Sequence, residues 1–234
     1  SCQNRGLAKK GFSCQDDGVT ARLIGRRRTF NAGLTNSRRI ETGDDRMKVP
    51  LYVGLVHYPM YDKNFNIVAT AVTNYDLHDI SRSSKTFGVK RYFIIHHVEG
   101  QLDMIHKILA FWRSKVGRNY NSYRTEAFDI VETLPDTDAA IKAVEEAEGC
   151  HPYVVTTDAR TYADTISYKD LRALGETGGR PILLLFGTGY GMTGEMMKKF
   201  DYILEPVYGP GEYNHLSVRS AVAIILDRLA GEAW

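Results

Sequence analysis

The sequence predicts an α/β fold in which helices flank a mostly parallel sheet. From about residue 47 onward, short runs of β-branched and aromatic residues alternate with segments of helical periodicity. Chains with this alternation form parallel sheets, because each crossover packs its helix back onto the sheet. The length of 234 residues suits one sizeable domain, or one domain with an appendage. No apolar run approaches the roughly 18–20 residues of a membrane span, so we expect no membrane partner.

The first half of this region begins with a strand over residues 51–58. A helix over 71–87 follows and ends at Gly88, a residue type that commonly terminates helices. The run at 91–98 is apolar enough for a strand that is buried on both faces. The next helix is predicted from apolar residues at helical spacing, which are Leu102, Ile105, Leu109 and Trp112.

The second half continues the alternation. Strands are predicted over residues 127–134, 152–157, 181–186 and 202–207. Asp136 or Thr137 can cap the helix after the first of these strands, and Ser167 opens a short helix over 168–174. The final helix has one apolar face, formed by Val218, Val222, Ile225 and Leu229.

Residues 1–46 differ in composition from residues 47–234. They hold ten basic and five acidic residues, a balance of +5, while the other 20 basic and 23 acidic residues give −3. All 14 tyrosines follow Met47, and residues 1–46 contain only Phe12 and Phe30 as aromatic residues. A segment with so little apolar surface to bury is predicted to be disordered. We therefore expect the folded domain to span residues 47–234.

Three interpretations of residues 1–46 are open. A basic arm could touch RNA phosphates. An organellar targeting peptide is also rich in arginine, but acidic residues such as Asp16 and Asp17 argue against it. We favour an over-extended start or an expression remnant, because Met47 and the residues after it look like a natural start directly before a strand.

The cysteines exclude two classes of structure. Cys2, Cys14 and Cys150 have no metal-ligand spacing, and they imply no disulfide framework. We therefore expect no metal. The simplest setting for such a chain is reducing and cytoplasmic.

Ligands of parallel sheets bind beyond the carboxyl ends of the strands, so residues 156–160, 187–194 and 205–217 are the informative segments. The second segment spells G-x-G-x-x-G with Gly189, Gly191 and Gly194, and its missing Cβ atoms let backbone approach a ligand. A dinucleotide site, with Glu205 on the ribose, is one interpretation. The dinucleotide-binding fingerprint normally lies near the start of its fold, with several strands and helices after it. Here only one predicted strand and one predicted helix follow the glycines. A tight turn without function is a further alternative.

The third segment is a long Gly/Pro turn that leads into the last helix. Asn214 is a plausible N-cap for that helix. The N–H groups beyond it would then be free to hold an amino acid carboxylate or an adenine edge.

At these residues the chain resembles the SPOUT RNA methyltransferases. Gly-Thr-Gly-Tyr-Gly-Met at 187–192 and Tyr-Asn-His-Leu-Ser-Val-Arg-Ser-Ala-Val-Ala-Ile at 213–224 resemble the family's last two motifs. Residues 74–89 resemble the first motif, in which an arginine precedes two small residues and then Phe-Gly-Val. Arg82 holds that arginine's place. More closely, residues 47–231 resemble a bacterial subfamily described as tRNA guanine-N1 methyltransferase-like.

Two departures from the family pattern leave the methylated atom open between a ribose oxygen and a base nitrogen. Tyr75 and Asp76 follow Asn74 in place of the usual Asn-x-Gly. Gly189 stands where the 2′-O-methylating branch has a glutamate.

The resemblance implies a C-terminal deep trefoil knot that binds S-adenosylmethionine, an RNA substrate (tRNA or rRNA) and a homodimer. It also implies a set of cofactor-binding residues in the three segments and directly before them. They are Thr156, Thr157, Phe186, Gly187, Gly189, Gly191, Leu204, Val207, Gly209, Asn214, His215, Leu216 and Ser217.

Two residues are the catalytic candidates. Arg82 could hold a phosphate through its guanidinium or favour a deprotonated nucleophile, and an ordinary surface arginine is the alternative. Glu205 could accept the proton, and a solvated charge at the strand end is the alternative. His96 and His97 end a strand, so at least one is expected to face the cleft.

RNA needs a basic surface with groups for base stacking. A stretch after the second helix offers both, and a solvated loop is the alternative interpretation. Its residues are Arg113, Lys115, Arg118, Tyr120 and Arg124.

The leading hypothesis is therefore an S-adenosylmethionine-dependent RNA methyltransferase. An NAD(P)-binding oxidoreductase is the enzymatic alternative. A cofactor-binding or RNA-binding module without catalysis is the non-enzymatic one.

Overall fold

A computed structural model describes residues 47–231 of the chain. Its main sheet has six parallel strands in the order β5-β4-β1-β7-β6-β8, and β2 and β3 form a separate antiparallel pair. The strands are β1 Leu51–Val56, β2 Met60–Tyr61, β3 Ile67–Val68, β4 Arg91–Ile95, β5 Val131–Leu134, β6 Tyr153–Thr157, β7 Ile182–Phe186 and β8 Tyr202–Leu204. The predicted α/β class and parallel sheet are confirmed, while the expectations for residues 1–46 lie outside the described residues.

Eight helices connect and cover these strands within residues 47–231. They are α1 Asn74–Thr86, α2 Glu99–Arg113, α3 Lys115–Tyr120, α4 Ser122–Asp129, α5 Thr137–Glu148, α6 Tyr168–Thr177, α7 Gly194–Met197 and α8 Val218–Ala230. Helices lie against both faces of the sheet, as the alternation of strands and helices predicts.

Two apolar cores lie on opposite faces of the sheet. In the larger core, Leu55 and Leu184 of the sheet pack with Ile80 of α1 and Leu226 of α8. In the smaller core, side chains of β4 and β7 pack with those of α5 and α7. The central strand β7 is buried at every position, which explains its continuous apolar run.

The strand order brings the informative segments together. The segments after β6, β7 and β8 follow strands β7-β6-β8 that are neighbours in the sheet. Because β7 also pairs with β1, the segment after β1 meets the segment after β7. The carboxyl edge of these four strands is therefore where a ligand site is expected.

The strand predicted over 127–134 is half wrong. Its first residues belong to α4, and the strand starts only at Val131. Asn121 caps α4 by accepting a hydrogen bond from Arg124 N at 3.0 Å, and the Phe128 ring stacks on Trp112 with centroids 6.1 Å apart. This packing of α4 against its neighbours outweighs the β propensity of an isolated aromatic residue.

The helix predicted over 71–87 starts later, at Asn74, because Thr73 caps it. Thr73 Oγ1 accepts from Asp76 N at 3.3 Å, while the Asp76 carboxylate accepts from Thr73 N at 3.1 Å. This reciprocal pair is a capping box. Asp136 and Ser167 cap α5 and α6 as predicted. Three strands end earlier than predicted, at Val56, Ile95 and Leu204.

Candidate active site

Three loops meet at the carboxyl edge: the β6 loop (158–167), the glycine loop (187–193) and the β8 loop (205–217). Arg160 Nη2 donates to Met192 O at 3.1 Å, which joins the β6 loop to the glycine loop. Asn214 Nδ2 donates to Ala159 O at 2.9 Å, which joins the β6 loop to the β8 loop. The structure thus brings together the three segments that the sequence singled out.

The β8 loop is also fixed where it begins. Glu205 N donates to Ile166 O at 3.0 Å, and Glu205 Oε1 accepts from Tyr168 N at 2.9 Å. The second bond places the carboxylate at the N-terminus of α6, where the helix dipole favours negative charge. Glu205 therefore has a structural role in addition to the catalytic role suggested from the sequence.

An acidic residue organises the β6 loop. The Asp158 carboxylate accepts from Arg160 Nη2 at 2.5 Å and from the Tyr162 hydroxyl at 3.0 Å. Burial, followed by the charge of Asp158, raises the pKa of Tyr162 to about 12. The hydrogen bond with Asp158 raises the pKa of Arg160. The arginine is therefore held as a fixed cation across the glycine loop.

Two glycines permit the close approach of other segments to the glycine loop. Gly189 and Gly191 have φ of 58° and 94°, where side chains with a Cβ are strained. A Cβ on Gly191 would lie 2.8 Å from Arg160 Nη2, and one on Gly189 would lie 3.1 Å from Thr70 Cγ2. The G-x-G part of the motif is thus required by packing between segments of this chain.

The β2–β3 hairpin lies against the glycine loop. Tyr61 N donates to Gly191 O at 3.0 Å, and Tyr190 N donates to Tyr61 O at 3.2 Å. Met60 also forms an antiparallel bridge with Met192. The segment between β1 and α1 therefore forms a fourth side of the site, which the sequence did not reveal.

A chain of hydrogen bonds runs from a buried histidine into the glycine loop. His57 Nδ1 lies 2.9 Å from Thr70 Oγ1, which lies 2.5 Å from Thr188 Oγ1, and Thr188 Oγ1 lies 3.1 Å from Val56 O. Since a carbonyl only accepts, the proton order that uses these three contacts runs from His57 Nδ1–H through Thr70 and Thr188 to Val56 O, and it leaves the longer 3.4 Å contact of Thr70 Oγ1 with His57 O without a hydrogen. His57 is then the neutral Nδ1–H tautomer, and its buried Nε2 has no partner among the described residues.

Burial keeps His57 neutral. The side chain is fully buried, and burial together with the nearby His96 lowers its pKa to about 4. The two imidazoles stack with centroids 5.4 Å apart. His96 accepts from Val98 N through Nδ1 at 3.0 Å and lies 3.0 Å from Thr70 O through Nε2, so it carries its proton on Nε2. Both rings position backbone around Thr70, whereas His97 is exposed and meets Tyr58 edge-on.

The residues expected to bind the cofactor fall into two groups. Some support the loops from below, where Thr156 Oγ1 donates to Tyr202 O at 3.2 Å and Thr157 Oγ1 donates to Leu185 O at 3.2 Å. The buried side chains of this group are Thr156, Phe186 and Leu204. Others expose surface on the β8 loop, and these are Gly209, His215, Leu216 and Ser217. Gly187 and Val207 are half-buried between the two groups.

The N-cap predicted for the last helix is wrong. Ser217, rather than Asn214, caps α8, and its hydroxyl accepts from Ser220 N at 3.3 Å. The Asn214 side chain instead donates to the β6 loop. The β8 loop therefore continues for three further residues before the helix N-terminus.

Arg82 lies on α1, exposed and away from the sheet core. It lines an open groove between α1 and α8 together with Ser217 and Ser220. On the same groove, Arg219 lies 3.4 Å from a carboxylate oxygen of Asp76 and 3.4 Å from one of Asp79. The first and last motifs thus meet at the N-terminus of α8.

The predicted RNA-binding residues are only partly available to RNA. Arg113 Nη2 donates to Phe128 O at 2.7 Å and to Val131 O at 2.6 Å, so its guanidinium is used within the fold. The Arg124 guanidinium stacks over Trp112 at 4.9 Å. The exposed members of the stretch are Lys115, Arg118 and Tyr120.

The geometry missed from the sequence is the contribution of Tyr61, Thr70 and His57. No spacing motif links these residues to the glycine loop, since Thr70 and Thr188 are 118 positions apart. A histidine directly after a buried strand was the one available signal. Within residues 47–231, no three His, Cys, Asp or Glu side chains form a group that could hold a metal ion. None of the helices in this range is long and apolar enough to span a membrane.

The fold and the loop contacts define an α/β protein in which three loops meet where β6, β7 and β8 end. Solved structures share this fold, including TrmJ from Z. mobilis ZM4 (TM-score 0.53, 11% identity, 79% of this chain and 70% of that chain). A probable methyltransferase from Bordetella pertussis Tohama I has a TM-score of 0.52 at 13% identity over 80% of this chain and 97% of that chain.

A family model described as SAM-dependent RNA methyltransferase matches residues 50–231. The chain therefore belongs to this family, which confirms the SPOUT resemblance, the RNA methyltransferase activity and the S-adenosylmethionine cofactor predicted from the sequence. The oxidoreductase and the non-catalytic module are not favoured.

Curated relatives agree with this assignment. An uncharacterized protein of Aquifex aeolicus is 42% identical over 76% of this chain and 87% of its own length. A tRNA (guanine-N(1)-)-methyltransferase of Nitratidesulfovibrio vulgaris is 41% identical over 79% of this chain. A second, from Oleidesulfovibrio alaskensis, is 39% identical over 82%. This chain spans only 43% and 45% of the two methyltransferases.

Proposed function

We propose that this chain methylates tRNA and that the β6, glycine and β8 loops together hold the methyl donor. The observation that carries the location is the set of hydrogen bonds by which Arg160, Asn214 and the backbone of Glu205 join the three loops. Two curated relatives are tRNA (guanine-N(1)-)-methyltransferases, which supports tRNA as the substrate. Once methyl transfer is observed, mapping of the modified nucleotide will identify the methylated atom.

The residues present fit the adenosyl donor. Such a ligand needs apolar contact surface and a few polar groups that fix its orientation. Leu216 is 45% exposed and Tyr208 is 56% exposed on the β8 loop, which provides apolar surface. The exposed backbone around Gly209 and Leu216 provides polar groups beside it.

When bound, S-adenosylmethionine supplies a methyl group attached to a positively charged sulfur. The chain's part is to orient the nucleophile and to take its proton. Arg82 is the proposed contact for an RNA phosphate, because it is exposed on a groove that Arg219 and several serines also line, together with Asp79. Glu205 is the candidate proton acceptor, since its carboxylate lies at the end of β8 among the loops.

We further propose that the backbone forms the trefoil knot implied by the family. The β8 loop is bonded to the β6 loop near its start through Glu205 and near its end through Asn214. The chain then continues into α8, which packs against both α1 and α6. A knot requires the segment that leads into α8 to thread through a loop of the preceding chain, and the proposal is supported by the bonds that hold this segment against the β6 loop.

The function is tested by calorimetry and methyl transfer. Wild-type protein is expected to bind S-adenosylhomocysteine, to bind no NAD, and to incorporate tritiated methyl into unfractionated bacterial tRNA. In Arg82→Ala, methyl transfer should fall about 100-fold through lost substrate positioning, with unchanged S-adenosylhomocysteine affinity. Lys85→Ala, an exposed cation on the same helix, is the matched control and should transfer methyl at the wild-type rate.

Each arm has a contrary result. Incorporation into rRNA but not tRNA would overturn the proposed substrate. Equal losses in the Arg82 and Lys85 variants would show a general electrostatic effect and remove the specific role of Arg82. Loss of S-adenosylhomocysteine binding in Arg82→Ala would place Arg82 in the cofactor pocket instead.

The homodimer implied by the family and the cytoplasmic location predicted from the cysteines belong to the same proposal. A dimer is expected in sedimentation equilibrium, and a monomer at all concentrations would contradict it. Residues 1–46 are proposed to lie outside the methyltransferase domain, which the truncation described below tests.

A further inference from the structure

The β2–β3 hairpin ends in a turn that displays an aromatic side chain. Phe65 has φ of 62° and is 73% exposed. The Asp62 carboxylate holds the turn, because Oδ1 accepts from Asn64 N at 2.7 Å and from Asn66 N at 2.9 Å, while Oδ2 accepts from Asn66 Nδ2 at 3.0 Å. Hydrogen bonds from Asn66 lower the pKa of Asp62, so the turn is held at neutral pH.

A bulky residue seldom occupies this backbone region, where asparagine or glycine is favoured. The chain places Asn64 and Asn66 on either side of the position, yet the left-handed residue is Phe65. The Phe65 ring meets the Tyr61 ring edge-on at 5.6 Å and otherwise faces solvent over most of its surface. Strain of this kind is a mark of functional segments.

The turn is attached directly to the candidate active site. Tyr61, which the Phe65 ring contacts, exchanges backbone hydrogen bonds with Gly191 and Tyr190 of the glycine loop. Tyr190 is 64% exposed, and Ile67 of the hairpin is 58% exposed. Lys63 adds an exposed cation at the turn. Aromatic surface and positive charge therefore lie together beside the loops assigned to the methyl donor.

We propose that Phe65 and Tyr190 form a stacking surface for an unpaired nucleobase of the RNA substrate, next to the nucleotide that is methylated. This inference rests on the proposed function. Enzymes that modify a base or its sugar often need it out of the helical stack, and unpaired bases bind proteins by stacking on aromatic rings. The positive charge of Lys63 would attract the RNA phosphate next to the stacked base.

The size of the patch favours RNA over a second copy of this chain. A stable protein interface buries about 800 Å² on each partner and some 20–30 residues a side. Three large apolar side chains, Phe65, Ile67 and Tyr190, are exposed on the hairpin and the glycine loop, which is too few for such an interface. A single stacked base needs only such an area.

The decisive variant is Phe65→Asn, because it separates binding from folding. Asparagine tolerates the left-handed backbone, so the melting temperature should stay at or above the wild-type value. Methyl transfer to unfractionated bacterial tRNA should fall about 5- to 150-fold in kcat/KM, the range for loss of one base–aromatic stack. S-adenosylhomocysteine affinity should not change. Phe65→Tyr should restore transfer, and Asn64→Ala, in the same turn, is the matched control.

A second measurement reports stacking directly. In Phe65→Trp, saturated with S-adenosylhomocysteine, the fluorescence of the added tryptophan should be quenched by tRNA, after subtraction of the wild-type signal from its two tryptophans. Duplex RNA of the same length should quench it less than a single-stranded oligonucleotide.

The outcomes separate this inference from the proposed function. Unchanged methyl transfer in Phe65→Asn, or no quenching in Phe65→Trp while the wild type is active, would overturn the stacking role alone. A dimer that dissociates in Phe65→Asn would overturn it in favour of a subunit contact. A wild type that binds S-adenosylhomocysteine but methylates neither tRNA nor rRNA would overturn the function, whatever the fluorescence shows.

Discussion

At the residue scale, His57 links the core of the sheet to the glycine loop. Its imidazole is fully buried, donates towards Thr70, and leaves Nε2 without a described partner. A buried imidazole in this state resists protonation, so the free energy of unfolding should depend on pH through His57.

We predict that stability falls as pH is lowered from about 6.5 towards 4. The native pKa of His57 is about 4 against 6.5 for the free side chain. Between these values the unfolded chain binds a proton that the native chain does not, so unfolding becomes easier by up to about 3 kcal/mol. Urea unfolding at several pH values measures this slope.

His57→Phe is the control for that slope, because it keeps an aromatic ring in the site and removes the titrating group. Its unfolding free energy should depend less on pH over the same interval. Burial also lowers the pKa of His96 and His78, and their contribution remains in both proteins. Identical slopes in the two proteins would contradict the assignment to His57.

Individual site residues could be predicted only where they lie within a recognisable sequence motif. The segments around Gly191 and Asn214 stand out as glycine-rich and turn-forming sequence, and they do meet in the structure. The contributions of Thr70 and Tyr61 arise from pairing between distant segments, which leaves no local pattern. Contacts between distant segments also account for Arg113. Its basic side chain was predicted to contact RNA, but in the structure it donates hydrogen bonds to backbone carbonyls.

At the element scale, the glycine loop depends on backbone that only glycine adopts readily. In Gly191→Ala, the new Cβ would lie 2.8 Å from Arg160 Nη2 at a φ of 94°. We expect a loss of about 1–3 kcal/mol in unfolding free energy and weaker S-adenosylhomocysteine binding. Chemical denaturation and calorimetry measure the two effects.

Gly100→Ala provides the matched comparison. Gly100 lies in the first turn of α2, and a Cβ there would meet nothing within 4 Å. Alanine favours the helix over glycine, so stability should stay the same or rise. Wild-type cofactor affinity in Gly191→Ala would remove the glycine loop from the proposed pocket.

Two helix starts were predicted well, since Ser167 caps α6 and Asp136, one of two predicted candidates, caps α5. For the last helix the sequence predicted Asn214, but Ser217 caps it, and both residue types are favourable caps. The choice is made by the bond from Asn214 to Ala159 in the β6 loop. Tertiary contacts also explain why residues 127–129 belong to α4 and not to the predicted strand.

At the scale of the whole molecule, the alternation of strands and helices was sufficient to predict a parallel α/β sheet. It was not sufficient to predict the strand order, in which β7 inserts between β1 and β6. Insertion depends on non-local pairing, whereas the periodicity of a sequence records local structure only.

A truncated chain tests the domain boundary. The protein that starts at Met47 should bind S-adenosylhomocysteine with the affinity of the full chain, because the loops that define the site all lie within residues 47–231. Calorimetry compares the two. A weaker tRNA interaction in the shorter protein, with equal cofactor affinity, would support the basic-arm interpretation of residues 1–46. Loss of cofactor binding would contradict the boundary.

Some residues that complete the site lie late in the sequence, and their position has a consequence for biosynthesis. Asp76 of α1 meets Arg219 of α8, a partner 143 positions later, and the β8 loop is completed only at Ser217. A ribosome-bound nascent chain in which α8 has not yet emerged therefore lacks the groove between α1 and α8, however well its first strands have folded. Catalytic competence should arise only once α8 has emerged and packed against α1.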